Sequence, residues 1–175
     1  MKRYNLSIFI LFSFFLNSCL ILDGSSNYSK NKNDCSNIPE INQKIINFVE
    51  KQIGKKVDRG ECWDLAAKSL DLTNAEWDGV FKFGKKISNL KDCIFPGDII
   101  QFKNVIIKYQ KNGIKYTEIM NQHTAIIFKV YDSKKYLIAH QNTDFSGKKV
   151  GLSSINLREI KKGEIIIYRP TQREI

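Results

Sequence analysis

The sequence predicts an α+β domain, and three observations carry that prediction. Apolar residues recur at helical spacing in the first half of the chain. After residue 90, short runs rich in Ile, Val, Phe and Tyr alternate with turn residues. Asn112-Gly113 lies between two such runs, the pattern of a tight hairpin. Helices first and antiparallel strands afterwards segregate into α+β rather than alternating α/β architecture. The 175 residues suit one domain with modest extras, and 42% hydrophobic residues exclude a wholly disordered chain.

The N-terminus reads as an export signal over residues 1–18. Lys2 and Arg3 precede an apolar run from Leu6 to Leu16, which is shorter than the roughly 20 residues a membrane-spanning helix needs. Leu16-Asn17-Ser18-Cys19 resembles a bacterial lipobox, which makes Cys19 the expected site of lipidation. Loss of Lys2 and Arg3 lowers the formal charge from +10 to +8. Residues 19–36 are polar and lack periodicity, as expected of a flexible tether. The folded domain is expected over residues 37–172.

Within it, Ile38, Ile41, Ile45, Phe48, Val49 and Ile53 predict an amphipathic helix with Pro39 near its start and Gly54 as its stop. A second helix is expected from Cys62 to about Leu70, after the turn Asp58-Arg59-Gly60. Cys62, Ala66 and Ser69 then share a face, with the cysteine at the top. Pro96-Gly97-Asp98 is a tight turn into a strand at Ile99–Phe102. Further strands are expected at Val105–Tyr109, Lys115–Ile119, Thr124–Val130, Lys135–His140 and Glu164–Tyr168.

Four cysteines and two histidines limit the available chemistry. A thiol at a helix start beside an imidazole is expected to ionise more readily than one with an ordinary pKa of about 8.5. Cys62 has that placement. His123 is expected to open a strand and His140 to close the next, so that antiparallel pairing gathers both at one sheet edge. Asn142, two residues on, can point the same way. These residues match the needs of a nucleophile, a base and an orienting group. No cofactor is called for: Cys62, His123 and His140 supply at most three zinc ligands. Trp63, Trp77 and Phe81 read as core residues. The lysine pairs are dispersed and no nucleic-acid-binding motif accompanies them, so nucleic acid is not an expected partner. Cys35 and Cys93 are a candidate disulfide in an oxidising envelope.

Taken in order, Gly60-Glu61-Cys62-Trp63, Pro96-Gly97-Asp98-Ile99-Ile100-Gln101-Phe102, His123-Thr124-Ala125-Ile126-Ile127 and His140-Gln141-Asn142 resemble the papain-like thiol hydrolases of the CHAP and NlpC type. Trp77 to Ile87 and Tyr168-Arg169-Pro170 are similar to a branch shared by bacterial lipoproteins and a cysteine-proteinase-fold domain of fungal actin-patch proteins. The resemblance implies a papain-like fold, N-terminal helices packed on a mostly antiparallel sheet. It implies Cys62 as nucleophile and His123 as general base. His140 is the preferred acceptor of the His123 Nδ1 proton, with Asn142 as the alternative. The implied activity is that of a lipid-anchored envelope amidase or peptidase acting on peptidoglycan stem peptides. A monomer bound to the membrane through its N-terminal lipid is expected. A binding or scaffold module that keeps only the fold is the competing reading, and an acyltransferase is a third.

Overall fold

The computed structural model describes residues 35–87 and 92–174. The export signal, Cys19 and most of the tether therefore lie outside the described residues. The elements run α1 (Glu40–Gln52), α2 (Cys62–Leu72), β1 (Ala75–Glu76), β2 (Lys85–Lys86), β3 (Ile99–Lys111), β4 (Ile114–Asp132), β5 (Lys135–His140), β6 (Gly151–Asn156), β7 (Ile160–Arg169) and β8 (Thr171–Gln172). β1 pairs with β8, and the remaining strands form one antiparallel sheet in the order β2-β7-β3-β4-β5-β6.

α1 follows Pro39, whose missing N–H costs nothing at a helix start. Ile45, Ile46 and Val49 enter the core, each contributing roughly 1.5–3 kcal/mol. α2 buries Leu65, Ala66 and Leu70 against the same face of the sheet. This face is completed by Ile99, Ile126, Ala139, Ile166 and Tyr168. The opposite face has its own cluster, built on Ile100, Phe102, Ala125, Ile127 and Ile138. Alternate residues of β3, β4 and β5 thus feed two different cores, which explains why their sequences read as nearly continuous apolar runs.

Two turns need glycine. Asn112 (φ +52°) and Gly113 (φ +79°) form the two-residue link from β3 to β4, both in the left-handed region as a type I′ hairpin requires. Gly97 (φ +88°) turns the chain into β3, and a Cβ there would sit 2.6 Å from the Asn42 carbonyl oxygen. The strands are longer than expected. Asn104 adopts φ +50° without ending β3, and β4 runs unbroken for 19 residues. His123 therefore lies inside β4 and does not open a strand. β6 was not foreseen: its sequence is short and half polar, and its strand form depends on pairing with β5. The pairs Lys85-Lys86 and Lys161-Lys162 lie in strands β2 and β7.

Cys35 is joined to Cys93 by a disulfide that closes a 58-residue separation. By chain entropy a loop of that length stabilises by about 4 kcal/mol. Reduction is expected to lower Tm by on the order of 10 °C, measured by calorimetry with and without a phosphine reductant. A Tm unchanged by complete reduction would contradict this.

Candidate active site

The first turn of α2 presents the thiol. Cys62 opens the helix, where backbone N–H groups lack intrahelical partners. Asp64 is 2% exposed and anchors the turn: Glu61 N–H donates to its Oδ2 at 3.0 Å and Arg59 Nη2 to its Oδ1 at 2.8 Å. Burial opposes the Asp64 charge, but Arg59 and the Glu61 N–H keep its carboxyl below the ordinary range.

β4 meets the thiol where β5 departs. The β4–β5 register reaches Ile126↔Ala139, after which the chain turns away at Asn142 (φ +60°). Ile127 N–H donates to the Asp98 carbonyl at 2.8 Å, and Gly97 N–H to the Ile127 carbonyl at 2.7 Å. Antiparallel alternation then directs the Thr124 N–H away from β3, towards the open edge. There it meets the Cys62 sulfur.

Burial pushes the Cys62 thiol above its ordinary pKa, outweighing the N–H groups of Thr124, Trp63 and Cys62 itself. The expectation of an easily ionised thiol at the helix start is overturned. The helix end lowers the cost of a thiolate, but desolvation of a half-buried sulfur is the larger effect. The resting form near neutral pH is the thiol.

The two imidazoles come together on β4 and β5. His123 Nε2 lies 2.8 Å from His140 Nδ1, and His140 Nε2 lies 2.8 Å from Ser153 Oγ on β6. His123 packs beside Phe102, and His140 beside Phe145. The nitrogen of His123 that His140 engages is Nε2, and not Nδ1 as the resemblance led us to expect. That leaves Nδ1 as the nitrogen available to a thiol. Alternation places Gln122 and Thr124 on the α2 face of β4, with His123 on the Phe102 face. Thr124, whose N–H meets Cys62, and His123, which meets His140, are thus consecutive residues whose side chains lie on opposite faces of the sheet. Among the described residues, no hydrogen bond joins Cys62 to His123.

Asn142 is not part of this pair. Its Nδ2 donates to Glu61 Oε2 at 2.7 Å, and among the described residues it bonds neither imidazole. Gln141, to which the sequence attached no role, is fully buried and bonds Val57 and Glu61. The only signal for it was its place inside the His140-Gln141-Asn142 motif. Ser153 gave none, because β6 itself was not foreseen.

Burial pushes His123 down to about 4, and burial with the neighbouring His123 charge pushes His140 down to about 3. Both are bases whose folded values lie below the ordinary 6.5, so between those limits the unfolded chain binds protons that the folded chain does not. Stability is therefore complete above pH 6.5 and falls as pH drops, by up to about 1.4 kcal/mol per pH unit for each histidine. Urea midpoints measured between pH 7 and 4 should show this fall, and replacing His140 with glutamine should flatten it. A wild-type midpoint constant over that range would contradict it.

A cavity of about 420 Å³ adjoins the thiol. Trp63, Val80 and Phe81 give it an apolar wall, Arg59 stands at one side, and Gln122 and Thr124 bring the open edge of β4. Trp63 Nε1 donates to the Val80 carbonyl at 2.5 Å, holding the 78–81 loop beside the cysteine. Trp63 and Trp77 pack against the first core at 5.5 Å from each other. Phe81 is exposed and lines the cavity, contrary to its reading as core.

A family model described as the AIM3/BBC1 cysteine proteinase-fold domain matches residues 38–175. The chain is 28% identical over 144 residues to Altered inheritance of mitochondria protein 3 of Debaryomyces hansenii, a match covering 72% of this chain and 15% of that protein. Similar solved structures are those of Ly7917 and of Ly7917 with the hydrolyzing product of MDP. Their TM-scores are 0.48 and 0.47 at 15% identity, covering 73% and 74% of this chain and 62% of each of theirs.

Proposed function

The chain belongs to the AIM3/BBC1 cysteine proteinase-fold domain family, and from that membership we propose that it is a thiol hydrolase of amide or related acyl bonds. The observation that carries the reading is that the thiol and the imidazole pair engage consecutive residues of β4. Cys62 lies against the Thr124 N–H, and the adjacent His123 is held through Nε2 by His140.

For His123 to act as base, its Nε2 carries hydrogen and donates to His140 Nδ1, and His140 Nε2 donates to Ser153 Oγ. Nδ1 is then a lone-pair nitrogen. It takes the thiol proton as sulfur attacks the acyl carbon, so that charge separates only during the reaction. The N–H groups of Cys62 and Trp63 in the first α2 turn, which face the sulfur, stabilise the oxyanion. His123 returns the proton to the leaving amine, and water, deprotonated by the same nitrogen, releases the acid and restores the thiol.

In this proposal a lipid on Cys19 holds the domain at a bacterial envelope, and peptidoglycan stem peptides are the substrate. The +8 charge of the processed chain suits an anionic wall. Mass analysis of soluble products from purified sacculi tests the substrate: cleaved stem peptides released by wild-type protein and not by Cys62→Ala are expected. An unchanged sacculus profile would refute it. The raised thiol pKa, and the lack of a thiol–imidazole bond among the described residues, favour a second reading. In it the domain binds an acyl or peptide ligand in the 420 Å³ cavity without turning it over.

A further inference from the structure

We propose that Gln141 is the positioning residue that sets the thiol against the open edge of β4, and that the β5–β6 loop clamps the two halves of the site together. The inference rests on Cys62 and His123 forming one reactive site, as argued above.

The loop from β5 to β6 follows His140 directly and grips the turn that launches α2. Gln141 Oε1 accepts from Val57 N–H at 3.2 Å, while its Nε2 donates to the carbonyls of Val57 at 3.1 Å and Glu61 at 2.8 Å. One buried amide therefore pairs both backbone groups of Val57 and the carbonyl just before the cysteine. Outside it, Asn142 and Lys148 both reach the Glu61 carboxylate, the latter at 2.8 Å. At the far end, Val150 exchanges backbone bonds with the segment leaving α1: Gly54 N–H donates to Val150 O and Val150 N–H to Lys55 O, each at 2.8 Å. The loop also carries Phe145, whose ring packs on His140. The segment that positions the imidazole pair is thus the one that positions the thiol.

Gln141 differs from its neighbours in burial. Asn142 and Lys148 are exposed, and exposed polar contacts hold little. Gln141 is 0% exposed, so removing its amide takes three bonds from the turn: the Val57 N–H loses its acceptor away from water, while the Val57 and Glu61 carbonyls keep only the N–H groups of Gly60 and Asp64. The turn can recover them only by shifting towards solvent, and that shift carries Cys62 away from the Thr124 N–H.

This predicts opposite movements of two rates. In Gln141→Met the sulfur gains solvent, so its titration moves down towards that of an ordinary thiol. Iodoacetamide alkylation of Cys62 at pH 7.5 rises about 3- to 10-fold, while hydrolysis falls at least about 30-fold at a temperature where circular dichroism shows a folded chain. Asn142→Ala, which loses one exposed bond, changes each by less than about 3-fold. Gln141→Glu keeps the acceptor but loses both donated bonds, so it shifts alkylation the same way. It decides the matter should Gln141→Met not fold. An alkylation pH profile superimposable on that of wild type in the folded variant would overturn the proposal. Alkylation needs no substrate, so a shifted profile in a protein with no hydrolytic activity upholds the positioning role and refutes the hydrolase reading alone.

Discussion

Replacing Cys62 with alanine is expected to reduce hydrolysis by at least about 10³-fold, with Tm within a few degrees of wild type. The thiol is half-buried at the first helical position, and alanine keeps the helix and the Asp64 anchor intact. His123→Ala should cost a similar factor, because a thiol that burial holds protonated needs a base at the moment of attack. The double variant should be no worse than the worse single one, since nucleophile and base act as a unit. Initial rates on one substrate, for the two single variants and the double, check all three statements. Additive losses would indicate independent roles and break the proposed pair.

The second large effect concerns stability. Arg169→Met is expected to cost about 3–5 kcal/mol, a fall in Tm of roughly 10–15 °C. Asp98 is 0% exposed, with Arg169 Nε at 2.6 Å from Oδ1 and Nη2 at 2.9 Å from Oδ2. Phe95 N–H at 2.9 Å and Asn42 Nδ2 at 2.8 Å complete its shell. The same guanidinium donates to the Cys93 carbonyl at 2.5 Å and lies over the Phe95 ring. It therefore ties β7 to the turn that starts β3, and the turn to the disulfide. Burial pushes the Asp98 carboxyl above its ordinary pKa, against the pull of Arg169. Without Arg169 it rises further. A carboxyl raised in the folded state favours folding at low pH and loses that advantage as pH climbs through its folded value. The deficit of Arg169→Met relative to wild type should thus be largest near pH 7 and shrink towards pH 4, measured by urea unfolding at both. A deficit independent of pH would place the loss in packing alone.

Much of the frame was legible because local chemistry decided it. The periodicity of Ile45 and Val49 marked α1, and Asn112-Gly113 needed no tertiary context to turn a hairpin. Gly97 marked the entry to β3 for the same reason. The misreadings trace to decisions made elsewhere in the chain. Lys103-Asn104 looks like a strand break, but pairing with β4 carries β3 through it. Gly151–Asn156 becomes a strand only because β5 offers an edge. In the site, which side chain of His140-Gln141-Asn142 faces His123 depends on where β5 parts from β4, a matter of one residue. That register gives His140 to His123, Gln141 to the turn before α2, and Asn142 to Glu61. The direction of the thiol pKa was misjudged because a helix end is visible in sequence, whereas desolvation requires the packed neighbours.

The central claim is that Cys62 is a nucleophile served by His123, and stopped-flow acylation by an activated p-nitrophenyl acyl ester tests it most directly. The expected result is a burst of one nitrophenolate per chain, with intact-mass and peptide mapping placing the acyl group on Cys62. That burst should vanish in Cys62→Ala and slow at least about 100-fold in His123→Ala. An adduct on another residue, or a burst rate unaffected by His123→Ala, would contradict it.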